Sequence, residues 1–225
     1  MTTNADLAQR RAAAIPRGLG NALQVYADRA RNAEIWDVEG RRYIDFASGI
    51  AVLNTGHLHA KVAAAVEQQL TRFSHACFQV TPYESYVALA ERLNALMPGS
   101  GPNKTLFLSS GAEAVENAIK VARYATGRSA VIAFGGAFHG RTFMGMTLTG
   151  KVEPYKKGFG AMMPDVYHVP FPQEVHHIST ADAMAGITKL FKADLDPGRV
   201  AAIIFEPDQD RSEEHTSELQ SLRRI

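Results

Sequence analysis

Apolar and polar positions along this chain keep a regular rhythm whose period changes several times. Residues 5–14 carry a helical pattern that Pro16 stops. Glu34 to Asp37 and Arg42 to Phe46 alternate at period two about Glu39-Gly40, which predicts a β-hairpin. Residues 60–73 return to a helical period, with Val62, Val66, Leu70 and Phe73 on one side. Residues 83–97 predict a further helix, closed by Pro98-Gly99. Beyond residue 103 the rhythm becomes strand, helix, strand, at 104–109, 112–126 and 130–134. The helix at 112–126 sets Val115, Ala118, Ile119 and Ala122 on one face. Thr180 to Lys192 predicts another helix with Met184, Ile187 and Phe191 inward, and Val200 to Phe205 a buried strand. Strands alternating with helices imply an α/β layer with parallel pairing, in which ligands gather at the carboxyl ends of strands.

Two segments fall at such ends. Ser110-Gly111-Ala112-Glu113 follows the apolar run Thr105 to Leu108 and opens a helix. Ser110 and Glu113 have capping-box spacing. A helix start directs free N–H groups and the positive end of its dipole at the turn, an arrangement suited to a phosphate. The second segment, Gly135 to Thr142, follows the strand at 130–134 and carries Phe138, His139 and Arg141. A phosphate turn, an aromatic plate and an arginine able to grip a carboxylate suggest a phosphorylated aromatic cofactor and a carboxylate substrate. Each residue also has a plainer reading: Gly111 as a capping glycine, Phe138 as core packing, His139 as a loop histidine bonded to backbone, Arg141 as a surface charge.

Composition narrows the classes. The 225 residues are 46% hydrophobic, enough for a substantial core. Charges nearly cancel, 24 Lys+Arg against 23 Asp+Glu, so nothing points to a nucleic acid or an acidic membrane as partner. The single cysteine, Cys77, argues against a disulfide scaffold. The N-terminus lacks a signal pattern and no apolar run is long enough to span a bilayer, so a cytoplasmic protein is expected. Of the eight histidines, His57 with His59 and His176 with His177 form close pairs without cysteine partners or helical spacing, and no metal is expected.

Several short motifs, in order, resemble the class III (omega-amino acid) aminotransferases, pyridoxal-phosphate enzymes of fold type I. They are Ile15 to Gly18, Trp36 to Gly40, Gly49 to His59, Cys77 to Gln79, Gly111 to Ala118, Phe138 to Thr142, Thr149 to Tyr155, and Glu206-Pro207. They run from the N-terminus to Pro207, and the resemblance is nearest to bacterial 4-aminobutyrate aminotransferases. It implies an incomplete fold type I α/β structure: a partial, mainly parallel sheet with helices, plus an N-terminal helix and hairpin. Residues 1–58 would contribute to the small domain and 59–207 would begin the large, cofactor-binding domain.

The resemblance also implies roles. Gly111 and Ala112 would hold the phosphate of pyridoxal 5'-phosphate through backbone N–H groups; many family members have Ser or Thr at the second position. Phe138 would stack on the ring, where Tyr is commoner, with His139 close behind. Arg141 would bind the substrate carboxylate, Ile50 and Gln79 would line the substrate pocket, and Glu206 would pair with an arginine when no diacid is bound. Amino acid and 2-oxo acid substrates and a homodimeric or larger parent are implied. The reaction implied moves the amino group of 4-aminobutyrate to 2-oxoglutarate. The alternatives are a 5-aminovalerate or ornithine-type transaminase, an aminomutase on the same scaffold, or a non-catalytic incomplete domain.

The family's Schiff-base lysine and the acid that pairs with the pyridine nitrogen lie after the Glu-Pro motif. None of Lys104, Lys120, Lys151, Lys156 and Lys157 matches the lysine's context, so no catalytic lysine is assigned and the chain by itself is expected to be inactive. After Pro207 the family continues Val-Gln-Gly-Glu, whereas this chain reads Asp208-Gln209-Asp210. Arg211 to Ser221 then resembles a translated sequencing adapter, so residues 208–225 are expected to be a non-native tail.

Overall fold

The computed structural model describes residues 2–99 and 101–207; the expectation about the tail lies outside them. The chain divides into two compact units, at residues 103 and 104.

The first unit begins with α1 (Asn4–Ala14), which ends at Ile15, one residue before Pro16. Thr3 caps it reciprocally: its hydroxyl accepts the Asp6 N–H, and the Asp6 carboxylate accepts the Thr3 N–H. A three-stranded antiparallel sheet follows in the order β1 (Ala27–Arg31), β2 (Glu34–Asp37), β3 (Arg42–Ile44). The hairpin expected about Gly40 is β2–β3, with Ile35 opposite Tyr43; β1 extends it by one strand.

Asp37 organises this unit. It is buried, and its carboxylate accepts from Asn4 Nδ2 (3.0 Å), the Glu39 and Arg41 N–H groups (3.0 and 2.8 Å) and the Tyr43 hydroxyl (3.0 Å). Burial acts to raise its pKa, but these hydrogen bonds outweigh that and hold it below the usual carboxylate range. One side chain thus ties the helix start to the hairpin turn. A short irregular turn, α2 (Ser48–Ala51), leads to α3 (Ala60–Leu70) and α4 (Glu84–Leu96). Val62, Val66 and Leu70 share one side of α3 as the spacing predicts, yet all three are exposed.

The second unit is an α/β layer. α5 (Gly111–Thr126) precedes β4 (Ala130–Phe134) and α6 (Phe143–Leu148); β5 (Val166–Val169), α7 (Thr180–Ala193) and β6 (Val200–Ile203) complete it. The sheet order is β5-β4-β6 with both pairings parallel, setting Val131 beside Val166 and Ile132 beside Ile203. All five residues of β4 are buried, so its side chains feed two cores in alternation. Ala130, Ile132 and Phe134 meet Val169, Leu190 and Leu195 on one face. Val131 and Ala133 meet Ile119, Met144 and Leu148 on the other. Helix α7 therefore covers one side, and α5 with α6 the other.

Four expectations need correcting. Residues 104–109 form no strand; Leu106 and Leu108 are exposed, and the described sheet of the second unit consists of β4, β5 and β6. An apolar run without a ladder stays an extended connection. Met184 points outward at 59% exposure, because Ala183, Ile187, Leu190 and Phe191 form the inner stripe of α7. Ala118 is likewise exposed, while its neighbour Ile119 is buried. Finally, β6 ends at Ile203 rather than Phe205 and is not a buried strand: Val200 to Ala202 are half-buried and Ile203 is exposed.

Ile132 is fully buried in the central strand. Truncating it leaves a cavity between two parallel neighbours. Ile132→Ala is expected to destabilise the second unit by about 2–4 kcal/mol, whereas the half-exposed Ile44→Ala should cost under about 1 kcal/mol. Urea unfolding of the two variants measures the difference.

Candidate active site

At the carboxyl end of β4 the chain turns through Gly135 and Gly136 into a loop that crosses the start of α5. Gly111, Ala112, Val115, Phe138, His139, Gly140, Arg141 and Thr142 line one cleft of about 620 Å³ there. The two segments expected at strand ends are thus neighbours, although no strand precedes the first.

Ser110 is the N-cap of α5. Its hydroxyl accepts the Glu113 N–H at 3.2 Å and donates to Glu113 Oε2 at 3.3 Å. The expected capping box is therefore half made, since the Glu113 carboxylate takes the hydroxyl and not the backbone N–H. The N–H groups of Gly111 and Ala112 make no hydrogen bond among the described residues. They stand at the positive end of a 16-residue helix.

Gly140 fixes how closely the loop approaches this helix. Its φ of +111° lies in the region that favours glycine, and a Cβ there would meet the Ala112 Cβ at 2.8 Å. Loop backbone and helix start are in direct contact. Farther along, the Glu116 carboxylate accepts the Met144 N–H at 3.2 Å and ties α5 to α6.

Phe138 is half-buried, with its ring centroid 5.0 Å from that of Tyr155. Its N–H donates to Glu206 Oε2 at 2.9 Å. Glu206 lies three residues past β6, half-buried, and makes no ion pair among the described residues. Arg141 is exposed at the cleft. Ile50 and Gln79 belong to the first unit, where both are exposed; Ile50 has a φ of +65°.

His139 is the most constrained of the group. It is 7% exposed, and its N–H donates to Thr149 Oγ1 at 3.0 Å. Its ring Nε2 is buried with no hydrogen-bond partner among the described residues. Burial, then the nearby His168, lowers its pKa to about 4. His168 is lowered too, by burial first and Lys156 second. A buried imidazole with a free nitrogen is a polar group prepared for a partner.

Sequence reasoning missed Glu116 and assigned no role to Thr149. Glu116 follows the Gly111-to-Ala114 turn on a charged helix face. Thr149 ends a largely apolar run. Nothing in their spacing marks either residue.

A family profile described as aminotransferase class-III matches residues 15–213. The chain belongs to this family. This class-III chain is 56% identical over 207 residues to the 5-aminovalerate aminotransferase of Pseudomonas putida, covering 92% of the chain and 49% of that protein. It is 52% identical over 225 residues to the 4-aminobutyrate aminotransferase of Escherichia coli, covering 100% of the chain and 53% of that protein. The chain spans about half the length of the curated relatives it matches. Among solved structures, an (S)-enantioselective omega-transaminase from Thermomicrobium roseum superposes with a TM-score of 0.78 at 26% identity, covering 90% of the chain and 49% of that one. The taurine:2-oxoglutarate aminotransferase of Bifidobacterium kashiwanohense, solved with PLP and glutamate, superposes at 0.79 with 23% identity, covering 92% and 48%, and shares the fold.

The low pKa of His139 has a stability consequence. The unfolded chain takes up a proton below pH 6.5, whereas the folded chain resists until about 4. The stability it confers is complete above 6.5 and is lost as pH falls towards 4. His139→Gln should flatten this part of the stability–pH curve, which thermal unfolding between pH 4 and pH 7 will show.

Proposed function

We propose that the protein carrying this chain is a pyridoxal-phosphate aminotransferase that moves the amino group of 4-aminobutyrate to 2-oxoglutarate. In this reading the chain contributes the phosphate end, the ring plate and a carboxylate-binding arginine. The observation that carries the reading is a single cleft lined by the unengaged helix start at Gly111 and Ala112, an aromatic ring, a histidine and an arginine. Membership of the class-III family supports it. Residues 1–58 would then serve the small domain and 59–207 the large one, in a homodimer or larger assembly.

The cleft fits the cofactor. The N–H groups of Gly111 and Ala112 would donate hydrogen bonds to a phosphate at the helix start, without the hydroxyl that Ser or Thr would add at position 112. Phe138 would cover one ring face, its plane supported by Tyr155. When bound, pyridoxal phosphate supplies a carbonyl for the amino group and a ring that withdraws electrons.

The chain's own residues then orient the substrate. Arg141 would grip the carboxylate with two parallel hydrogen bonds and so set the distance to the reacting amine. By the family resemblance alone, Ile50 and Gln79, both exposed in the first unit, are assigned to substrate binding. Glu206 is anchored on the Phe138 N–H, which leaves its second oxygen to offset an arginine when a monocarboxylate is bound. One pocket would thus serve an omega-amino acid and then a 2-oxo diacid.

The 56% identity to the Pseudomonas putida enzyme favours 5-aminovalerate as the second candidate donor. The two donors differ by one methylene, a difference worth only about 1–3 kcal/mol in a pocket. Assaying the full-length protein with each donor and 2-oxoglutarate, and comparing kcat/KM, separates them. Failure of both donors to yield glutamate contradicts the reading.

Arg141→Ala removes a charge-assisted pair. It is expected to cost about 2–4 kcal/mol in kcat/KM for the amino donor, while cofactor absorbance persists. Unchanged donor saturation would show that Arg141 has another role.

A further inference from the structure

The segment Thr149-Gly150 matches the family, yet the reading above gives it nothing to do. The structure places it directly beneath the cleft loop. Thr149 is fully buried. Its hydroxyl accepts the His139 N–H at 3.0 Å and donates to the Gly145 carbonyl at 2.9 Å. Gly150 completes the attachment: its N–H donates to the Ala137 carbonyl at 2.8 Å, and its carbonyl accepts the Gly136 N–H at 3.3 Å. The two backbones are pressed so closely that a Cβ on Gly150 would lie 2.4 Å from Gly136 N and from Phe134 O.

These bonds form a staple. They hold residues 136–139 from below, and Gly140 is held against Ala112 from the side. Arg141 is exposed and lies between two anchors, the staple at His139 and Thr142, whose hydroxyl accepts the Gly145 N–H at 3.3 Å as the cap of α6. The staple sets where the chain enters Arg141, and the start of α6 sets where it leaves. The phosphate-type donors, by contrast, belong to α5 and depend on Ser110 and the helix.

We infer that Thr149 is the positioning residue for carboxylate recognition: its hydroxyl, bonded to the His139 N–H, sets where Arg141 presents its guanidinium. The inference rests on the proposed role of Arg141. It assigns Thr149 no contact with substrate or cofactor. Thr149→Val keeps the side-chain shape but strands a buried N–H without an acceptor. Thr149→Ser keeps the hydroxyl.

The test uses the full-length protein loaded with pyridoxal phosphate. Pentanoate, a carboxylate with no amino group to react, is titrated by calorimetry, and bound cofactor is followed by absorbance. Thr149→Val should weaken pentanoate by about tenfold or more, while Thr149→Ser stays within about threefold of the parent. Cofactor retention should be the same in all three proteins. Thr149→Ala carries the same expectation as Thr149→Val, so whichever of the two folds decides the matter.

Pentanoate binding equal to the parent in a folded Thr149→Val or Thr149→Ala protein overturns the inference. Parallel loss of cofactor, or failure of both variants to fold, also overturns it by making Thr149 a general structural residue. If the parent itself binds neither cofactor nor pentanoate, the proposed function fails instead, and the two failures are told apart.

Discussion

Parallel pairing along both edges of one buried strand is the constraint on which the second unit depends. β4 is closed off by β5 on one side and β6 on the other, and every side chain it carries is buried. A strand so enclosed must be apolar on both faces, and Ala130 to Phe134 is. Its alternation sends Ile132 and Phe134 towards α7, and Val131 and Ala133 towards α5 and α6. From the carboxyl end of that strand the loop runs against the start of α5, where Gly140 meets Ala112, and the cleft opens there.

The loop itself has little regular structure, so side chains supply the acceptors for its N–H groups. Glu206 takes Phe138 from 68 residues away, Thr149 takes His139, and Glu116 takes Met144. Leaving any of these N–H groups unpaired where water is scarce would cost more than a typical hydrogen bond contributes. At the same time the first N–H groups of α5 are left unengaged among the described residues. The molecule thus satisfies the loop and leaves the helix start available. His139 belongs to both patterns: its backbone is bonded, while its ring nitrogen is held neutral by burial and without a partner among the described residues.

Most of the helices were legible in the sequence, because amphipathic stripes such as that of α7 show their period. Exact facing was less legible. Met184 is apolar and lies near the inner stripe, but Ala183 packs closer, and only the packed structure decides between them. The helix α6 escaped notice for the opposite reason: Met144 to Leu148 are all buried, so no polar face marks a period. β5 escaped because four residues that include His168 give little signal. The run at 104–109 reads as a strand on composition, yet it is not a member of the described sheet β5-β4-β6. For the candidate site, Gly111, Ala112, Phe138, His139 and Arg141 could be named in advance, and the structure lines one cleft with them. Thr149 and Glu116 act through backbone groups distant in sequence, so no local motif identifies them.

On the proposed function, the start of α5 and the loop after β4 together serve a phosphorylated ring and a carboxylate. A crystal structure of the full-length protein with pyridoxal phosphate and 5-aminovalerate would test it most directly. The phosphate should accept hydrogen bonds from the Gly111 and Ala112 N–H groups, Phe138 should lie over the ring, and the carboxylate should meet Arg141. A phosphate bound away from the start of α5, or a carboxylate bound without Arg141, would contradict it.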